Sequence, residues 1–189
     1  MSDSHCAVNA LKGVLRREAY DLVVHSGDHD CLPAVEALLR YAAAPVAAVT
    51  GNLDGASVRE RLLEAGVLVE ARVAVLKGIR VAGVGGWSPS VDAERLLGAE
   101  FELLVSHHPP LGVLDLTYAG VHAGSDAVRR LVEEKKPLLH MCGHIHEARG
   151  VGRLGGTVVV NAGPLARGYY AIIEVAGGSV KPMLRRLKR

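Results

Sequence analysis

The sequence predicts an α/β fold built on one mixed β-sheet or on two. Three observations carry this reading. Helical and strand patterns alternate through the first two-thirds of the chain. A run of short strands fills the last third. Four of the apolar strands end in a Gly or Ser that hands over to a residue able to bind a metal. Alternation points to parallel units and the later run to added antiparallel strands. At 189 residues the chain is long enough for one well-buried core, so residues 1–189 are read as a single domain.

The elements follow from periodicity. Residues 7–18 repeat at helical spacing, and 21–25 (DLVVH) form an apolar strand. A helix over 32–42 and a strand over 45–50 repeat the unit, and 56–65 is helical again. Residues 67–76 and 79–84 read as two strands joined by a Lys77-Gly78 turn. A helix near 91–98, a strand over 101–106 and a helix over 125–135 follow. The last third holds strands at 137–142, 149–153, 156–161, 169–175 and 179–185.

Composition excludes several classes. No stretch of 18 apolar residues exists, so no membrane span is expected. The start has no basic segment followed by an apolar one, so no signal peptide is expected. A net charge of +2 gives no footprint for nucleic acid, and the basic end "RRLKR" reads as a solvated terminus. Cys6, Cys31 and Cys142 are an odd set without a C-x-x-C, which argues against a disulfide framework and for a reducing cytoplasm. Glutamine is absent and asparagine occurs only at Asn9, Asn52 and Asn161, a depletion of thermolabile amides that points to a thermophile.

The nine histidines cluster, two in "HSGDHD", two in "SHHPP" and two in "GHIH". "SGDHD", "TGNLD", "SHHPP" and "GHIHEARG" each follow an apolar strand. In open α/β sheets, sites form beyond the carboxyl ends of strands. Four such ends converging would bring Asp28, Asn52, His107, His144 and His146 into one crevice. Asp3 and His5 would join them if a strand preceded "DSH". Each motif alone is ordinary. Their succession, each at a strand end, is not.

Asp3-Ser4-His5, Gly27-Asp28, Gly51-Asn52, His107 and Gly143-His144-Ile145-His146 resemble the motif series of calcineurin-like metallophosphoesterases. The resemblance covers nearly the whole chain, and "GHIHEARG" with "VVVNAGP" is similar to the family's small bacterial and archaeal phosphodiesterase branch. It implies a four-layer α-β-β-α sandwich, two mixed sheets packed face to face with helices outside. It implies two divalent ions. Asp3, His5 and His146 would complete the first site, Asn52, His107 and His144 the second, and Asp28 would bridge both. Mixed oxygen and nitrogen donors suit manganese first, with iron, zinc, nickel or cobalt as alternatives. The ions would clamp a phosphate and lower the pKa of a bridging water, giving hydroxide for attack on phosphorus. The expected substrates are small phosphodiesters or nucleotides. The compartment expected is the cytoplasm, and oligomeric state is open.

Two departures stand out. Leu53 occupies the place of the histidine in the family's Gly-Asn-His-Asp motif and can neither donate a proton nor stabilise charge. General acid help is worth about 10²–10⁴ in rate. Asp54 is thereby expected to lack its partner. His122, in the glycine-flanked "GVHAGS", is the first candidate to contact the phosphate instead; His29 and His108 are the others, each otherwise a structural or exposed histidine. The second departure is the start, where only Met1 and Ser2 precede Asp3. A strand rises about 3.3 Å per residue, so two residues cannot cross a sheet. The first central strand is expected to be missing or truncated: the true start lies upstream, the strand is absent, or a partner chain fills the gap.

Other residues read as structural. Trp87 is expected in the core, Asn161 in a turn, Arg149 and Arg167 on the surface, and Cys31 and Cys142 as small packing residues. Leu53 keeps a second class of function in view, a weak or inactive metal-binding interaction module similar to a retromer subunit. A repair-type nuclease is disfavoured by the low charge.

Overall fold

A computed structural model describes residues 1–188. The first units form as α1 (Val8–Arg17), β1 (Val23–Ser26), α2 (Leu32–Tyr41), β2 (Val46–Val49) and α3 (Ala56–Glu64). In α1 the buried residues Leu11, Val14 and Leu15 share one face at helical spacing, and Pro at its first turn opens α2. Then come β3 (Val73–Leu76), β4 (Ile79–Val84), α4 (Pro89–Leu96), β5 (Leu103–Ser106) and α5 (Asp126–Lys135). The chain continues through β6 (Leu139–Cys142), β7 (Gly150–Leu154), β8 (Thr157–Asn161), β9 (Tyr169–Ala176) and β10 (Ser179–Arg186). Lys77 and Gly78 both take positive φ, the form a two-residue hairpin turn needs, and Leu76 pairs with Ile79 across it.

One expected strand is shorter than its pattern. Residues 67–72 carry apolar alternation but make only single bridges, Leu68 to Ala48 and Glu70 to Gly83. This stretch leaves the side of β2 and crosses to β4, and Ala71, at φ 53, breaks the run before β3. A strand changing sheets cannot pair continuously with either.

Six strands form one mixed sheet in the order β3-β4-β5-β6-β8-β7, with its two edge strands antiparallel to their neighbours. The parallel pair β1-β2 and the antiparallel pair β9-β10 face it. Ala47 and Val49 of β2 pack with Val81, Val105, Met141 and Val160 between the sheets. The alternate residues Val46 and Ala48 pack with Leu11, Val35 and Leu62 of the first three helices. On the far side, Ala82 and Leu104 pack with Leu96 of α4 and Leu131 of α5. The result is the expected four-layer sandwich.

The first central strand is a three-residue stub. The Met1 amino group donates to Val24 O at 2.9 Å, Ser26 N donates to Met1 O at 3.0 Å, and Asp3 N donates to Gly27 O at 2.9 Å. On its other side Leu165 N donates to Ser2 O at 2.9 Å and Ala166 N to Asp3 O at 3.2 Å. Behind Met1 lies a slot of about 460 Å³ between β1 and β9, lined by Val23, Val24, Ala171 and Ile173 among others. Burial lowers the Met1 ammonium to about 6.

Candidate metal centre

All seven expected ligands come together at the ends of β1, β2, β5 and β6 and at the N-terminal stub. Donor atoms of Asp3, His5 and His146 lie within 4.8 Å of one another, as do those of Asp3, Asp28 and His107. His146 Nε2 is 3.2 Å from His5 Nε2 and 3.3 Å from Asp3 Oδ1. On the other side of Asp28, His107 Nε2 is 2.8 Å from Asn52 Oδ1, 3.1 Å from His144 Nδ1 and 3.6 Å from Asp28 Oδ2. Two ligands held about 2.1 Å from one ion in tetrahedral or octahedral geometry lie about 3–3.5 Å apart. The donor spacings on both sides of Asp28, from 2.8 to 3.6 Å, bracket that figure, and the donors are nitrogen and oxygen without thiolate. The set therefore fits divalent ions, and Asp28 is grouped with Asp3 and His107.

The backbone that aims these side chains is unusual. Asp3, His5, Asp28 and His144 all have positive φ, between 41 and 67. Such conformations are costly outside glycine and persist where the surroundings fix them. The fixing bonds are visible. The Asp3 carboxylate accepts from Ser2 Oγ and from His144 N, and Asp28 Oδ1 accepts from Leu53 N at 3.0 Å. His5 N donates to Asp28 O at 3.1 Å and Cys6 N to His29 O at 3.1 Å, lacing the two ligand loops together. The first central strand is truncated, as expected, and its stub is bonded on both sides.

Two glycines allow the close approach. A Cβ on Gly51 would sit 1.9 Å from Asp28 Oδ1, and one on Gly143 would sit 1.7 Å from Ser2 Oγ and 2.4 Å from Asp3 Oδ2. Neither loop can carry a side chain while the carboxylates keep their places.

Electrostatics suit cation binding. Burial pushes the Asp3 carboxyl up, but its hydrogen bond with His146, the His107 ring and the Ser2 hydroxyl together hold it below its ordinary value. Burial raises Asp28, which the coulombic pull of His107 only partly offsets. Burial and the neighbouring His107 lower His144 to about 4, so it is neutral and able to ligate at physiological pH.

Asp30 belongs to the site and was not among the expected ligands. Its Oδ2 lies 2.8 Å from His5 Nδ1, while the opposite nitrogen of that ring faces His146. A carboxylate on the far nitrogen fixes the tautomer and orientation of a ligating imidazole. The second acid of "GDHD" was the signal for it. Asp54 is not orphaned, as its Oδ1 accepts from Asp30 N at 2.7 Å and its Oδ2 from Gly51 N at 2.8 Å.

The three candidate replacement histidines are not members of the grouped ligands. His122 has its Nδ1 bonded at 2.7 Å to the buried Asp115. His29 faces inward, with Nε2 3.3 Å from Val49 O and its ring stacked on His25. His108 packs its ring 4.4 Å from that of His144, and burial lowers it to about 3.

Four further expectations change or hold. Trp87 is not in the core: it is 47% exposed, and its Nε1 donates to Asp54 O at 2.9 Å. Cys31 is not a separate packing residue but forms a disulfide with Cys6, against the expectation of no disulfide, because the two ligand loops bring their Cα atoms to 5.6 Å; Cys142 is free and buried, as expected. Arg149 is structural, donating to Ala162 O and Arg185 O. Asn161 is the turn residue expected, joining Ile145 O and Gly163 N.

Residues 1–178 match the family model described as the calcineurin-like phosphoesterase superfamily domain. An uncharacterized protein of Methanocaldococcus jannaschii is 30% identical over 146 residues, 66% of this chain and 66% of that protein. The human metallophosphoesterase domain-containing protein 1 is 37% identical over 76 residues, 38% of this chain and 22% of its own length. The match thus spans two-thirds of the archaeal relative and under a quarter of the human one. Among solved structures, TT1561 of Thermus thermophilus superposes with a TM-score of 0.72 at 21% identity, covering 97% of this chain and 96% of that one. The sulfate thiohydrolase SoxB of the same genus superposes at 0.58 and 17% identity, covering 94% and 42%. These two share the fold.

Proposed function

Since the chain belongs to the calcineurin-like phosphoesterase superfamily, we propose that it is a dinuclear-metal-dependent phosphoesterase, acting on small phosphodiesters or nucleotides. The observation that supports this reading is the convergence of Asp3, His5 and His146 on one side of Asp28, and of Asn52, His107 and His144 on the other. When bound there, two divalent ions supply Lewis-acid activation of water and neutralise phosphate charge. Manganese is the proposed metal, with iron, zinc, nickel or cobalt as alternatives, because the donors are oxygen and imidazole.

The chain's own residues then set the chemistry. Asp28 is held by the Leu53 amide, so its carboxylate keeps one orientation. Asp3 and Asp30 orient the imidazoles of His146 and His5. Leu53 offers no proton to a departing oxygen. The favoured substrates are therefore diesters whose leaving group departs as a stable anion, as an aryl oxide does. His122, oriented by Asp115, is the proposed contact to the phosphate; if His122→Ala leaves kcat/KM for an aryl phosphodiester unchanged, that role is excluded.

No helix among the described residues is long and apolar enough to cross a membrane. The proposed compartment is the cytoplasm of a thermophile; the Cys6–Cys31 bond withdraws the cysteine argument for it, and intracellular disulfides are a feature of hyperthermophiles.

The test is hydrolysis of bis-p-nitrophenyl phosphate with manganese and with EDTA. Metal-dependent turnover that disappears in His144→Ala is the expected result. No turnover with manganese, iron, nickel, cobalt or zinc would overturn it in favour of the interaction module.

A further inference from the structure

Aromatic residues are scarce in this chain, one Trp, one Phe and five Tyr. Of these seven, only Trp87 and Tyr118 are exposed, at 47% and 85%. Trp87 is tied to the loop that carries Asn52, and the Tyr118 backbone to Glu147, the residue after His146. Trp87 donates to Asp54 O, and the preceding Gly86 packs so tightly on the ligand loop that a Cβ there would meet Asn52 N at 2.5 Å. This ties Trp87 to the Asn52–Asp54 segment, in which Leu53 is 59% exposed. Tyr118 N donates to Glu147 Oε1 at 2.9 Å, next to the ligand His146. The short segment that carries Tyr118 is braced by Thr117 bonded to Val121 and by the bridge between Leu116 and His122.

An exposed aromatic ring costs solvation unless something covers it, and one anchored by its own polar group or backbone is held ready to be covered. Planar groups stack on such rings, and a nucleobase does so whatever its sequence. We propose that Trp87 and Tyr118 are two base-stacking platforms, and that the substrate is a nucleoside phosphodiester whose two arms leave the phosphate toward the two rings. Leu53, in the place of a polar residue, extends the apolar surface on the Trp87 side. This names the substrate class of the phosphodiesterase proposed above and rests on that reading.

The experiment compares two substrates with one leaving group, thymidine 5′-(p-nitrophenyl phosphate) and methyl p-nitrophenyl phosphate. The wild type is expected to prefer the nucleoside. One base–aromatic stack corresponds to about a tenfold preference or more in kcat/KM. Trp87→Leu and Tyr118→Ala should each lower that ratio, and Trp87→Phe and Tyr118→Phe should keep it. Tyr118 is tied down by its backbone, so its truncation leaves the fold intact. Trp87 is the single tryptophan, so its fluorescence reports binding without turnover. Adenosine monophosphate should quench it saturably and ribose phosphate should not. Absence of bis-p-nitrophenyl phosphate hydrolysis would remove the phosphodiesterase reading. Turnover with no nucleoside preference, or fluorescence that answers equally to ribose phosphate, would overturn the stacking proposal alone.

Discussion

The Asp54 carboxylate receives the backbone N–H of Asp30 at 2.7 Å. Its other oxygen receives Gly51 N at 2.8 Å. One buried acid therefore ties the loop after β1 to the loop after β2, the loops that carry Asp28 and Asn52. Without it, two amides lose their acceptor. Asp54→Ala is expected to lower stability by about 2–4 kcal/mol, the scale of leaving buried donors unpaired. It should also weaken metal binding about 10- to 100-fold, as loss of an outer-shell partner does. Thermal melting in EDTA and a manganese titration check the two effects separately. Unchanged metal affinity would mean that the ligand loops hold their shape without this acid.

The glycines beside the carboxylates give a second prediction. Gly51→Ala and Gly143→Ala force a methyl group into Asp28 and into Ser2 and Asp3. At Gly51 the Asp28 carboxylate and backbone N stand in the way, and at Gly143 the buried Ser2 and Asp3 side chains do, so the ligands must move. A displacement of about 1 Å at a reacting centre costs on the order of 10²-fold in rate. Both variants should lose at least that much, whereas Gly98→Ala, with nothing within 4 Å of its Cβ position, should be silent. Full activity in Gly51→Ala would show that Asp28 does not need its present place.

The strand ends and their ligands could be read in the sequence because each pattern is local: apolar residues at period two, then a small residue, then a donor. What could not be read depends on direction. Asp3, His5, Asp28, Asp30 and His144 all sit at positive φ, where propensity is silent. Strand alternation therefore does not say where their side chains aim. For that reason the pattern does not reveal Asp30 as a site residue, and Asp54 reads as orphaned although its partners are backbone amides. The Cys6–Cys31 pair was hidden in the same way, since its two loops meet only after both have turned. Trp87 was assigned to the core on hydrophobicity alone, but its indole N–H is used at the surface by Asp54 O.

Buried histidines predict acid sensitivity. His25 is fully buried with neither ring nitrogen bonded, and His140 is buried with only Ser106 as partner. Burial pushes His25 well down and His140 to about 3. Unfolded, both titrate at about 6.5. Between about pH 6.5 and the folded values, the unfolded chain binds more protons, so stability falls as pH falls. His140 should remove about 2 kcal/mol between neutral pH and pH 5, and His25 should act in the same direction. Urea unfolding in EDTA at the two pH values measures the slope, and His25→Leu should flatten it. An identical slope in that variant would assign the acid loss to other groups.

The disulfide predicts a redox dependence centred on the first metal side. Cys6 follows His5, and Cys31 follows Asp30, so the bond joins the two residues after a hydrogen-bonded pair of site side chains. It closes a loop with a sequence separation of 25. Loop-closure entropy for that length gives about 3 kcal/mol of stability. Dithiothreitol, or Cys6→Ser with Cys31→Ser, should therefore lower the melting temperature. Both loops are also held by His5 N to Asp28 O and Cys6 N to His29 O, so the fold should survive reduction. The positive-φ residues Asp3, His5 and Asp30 would then be freer to relax, whereas Asn52, His107 and His144 lie on loops the bond does not touch. In a two-site manganese titration, reduction should weaken one site and leave the other within error. Equal weakening of both would show that the bond supports the whole centre rather than the side built on His5.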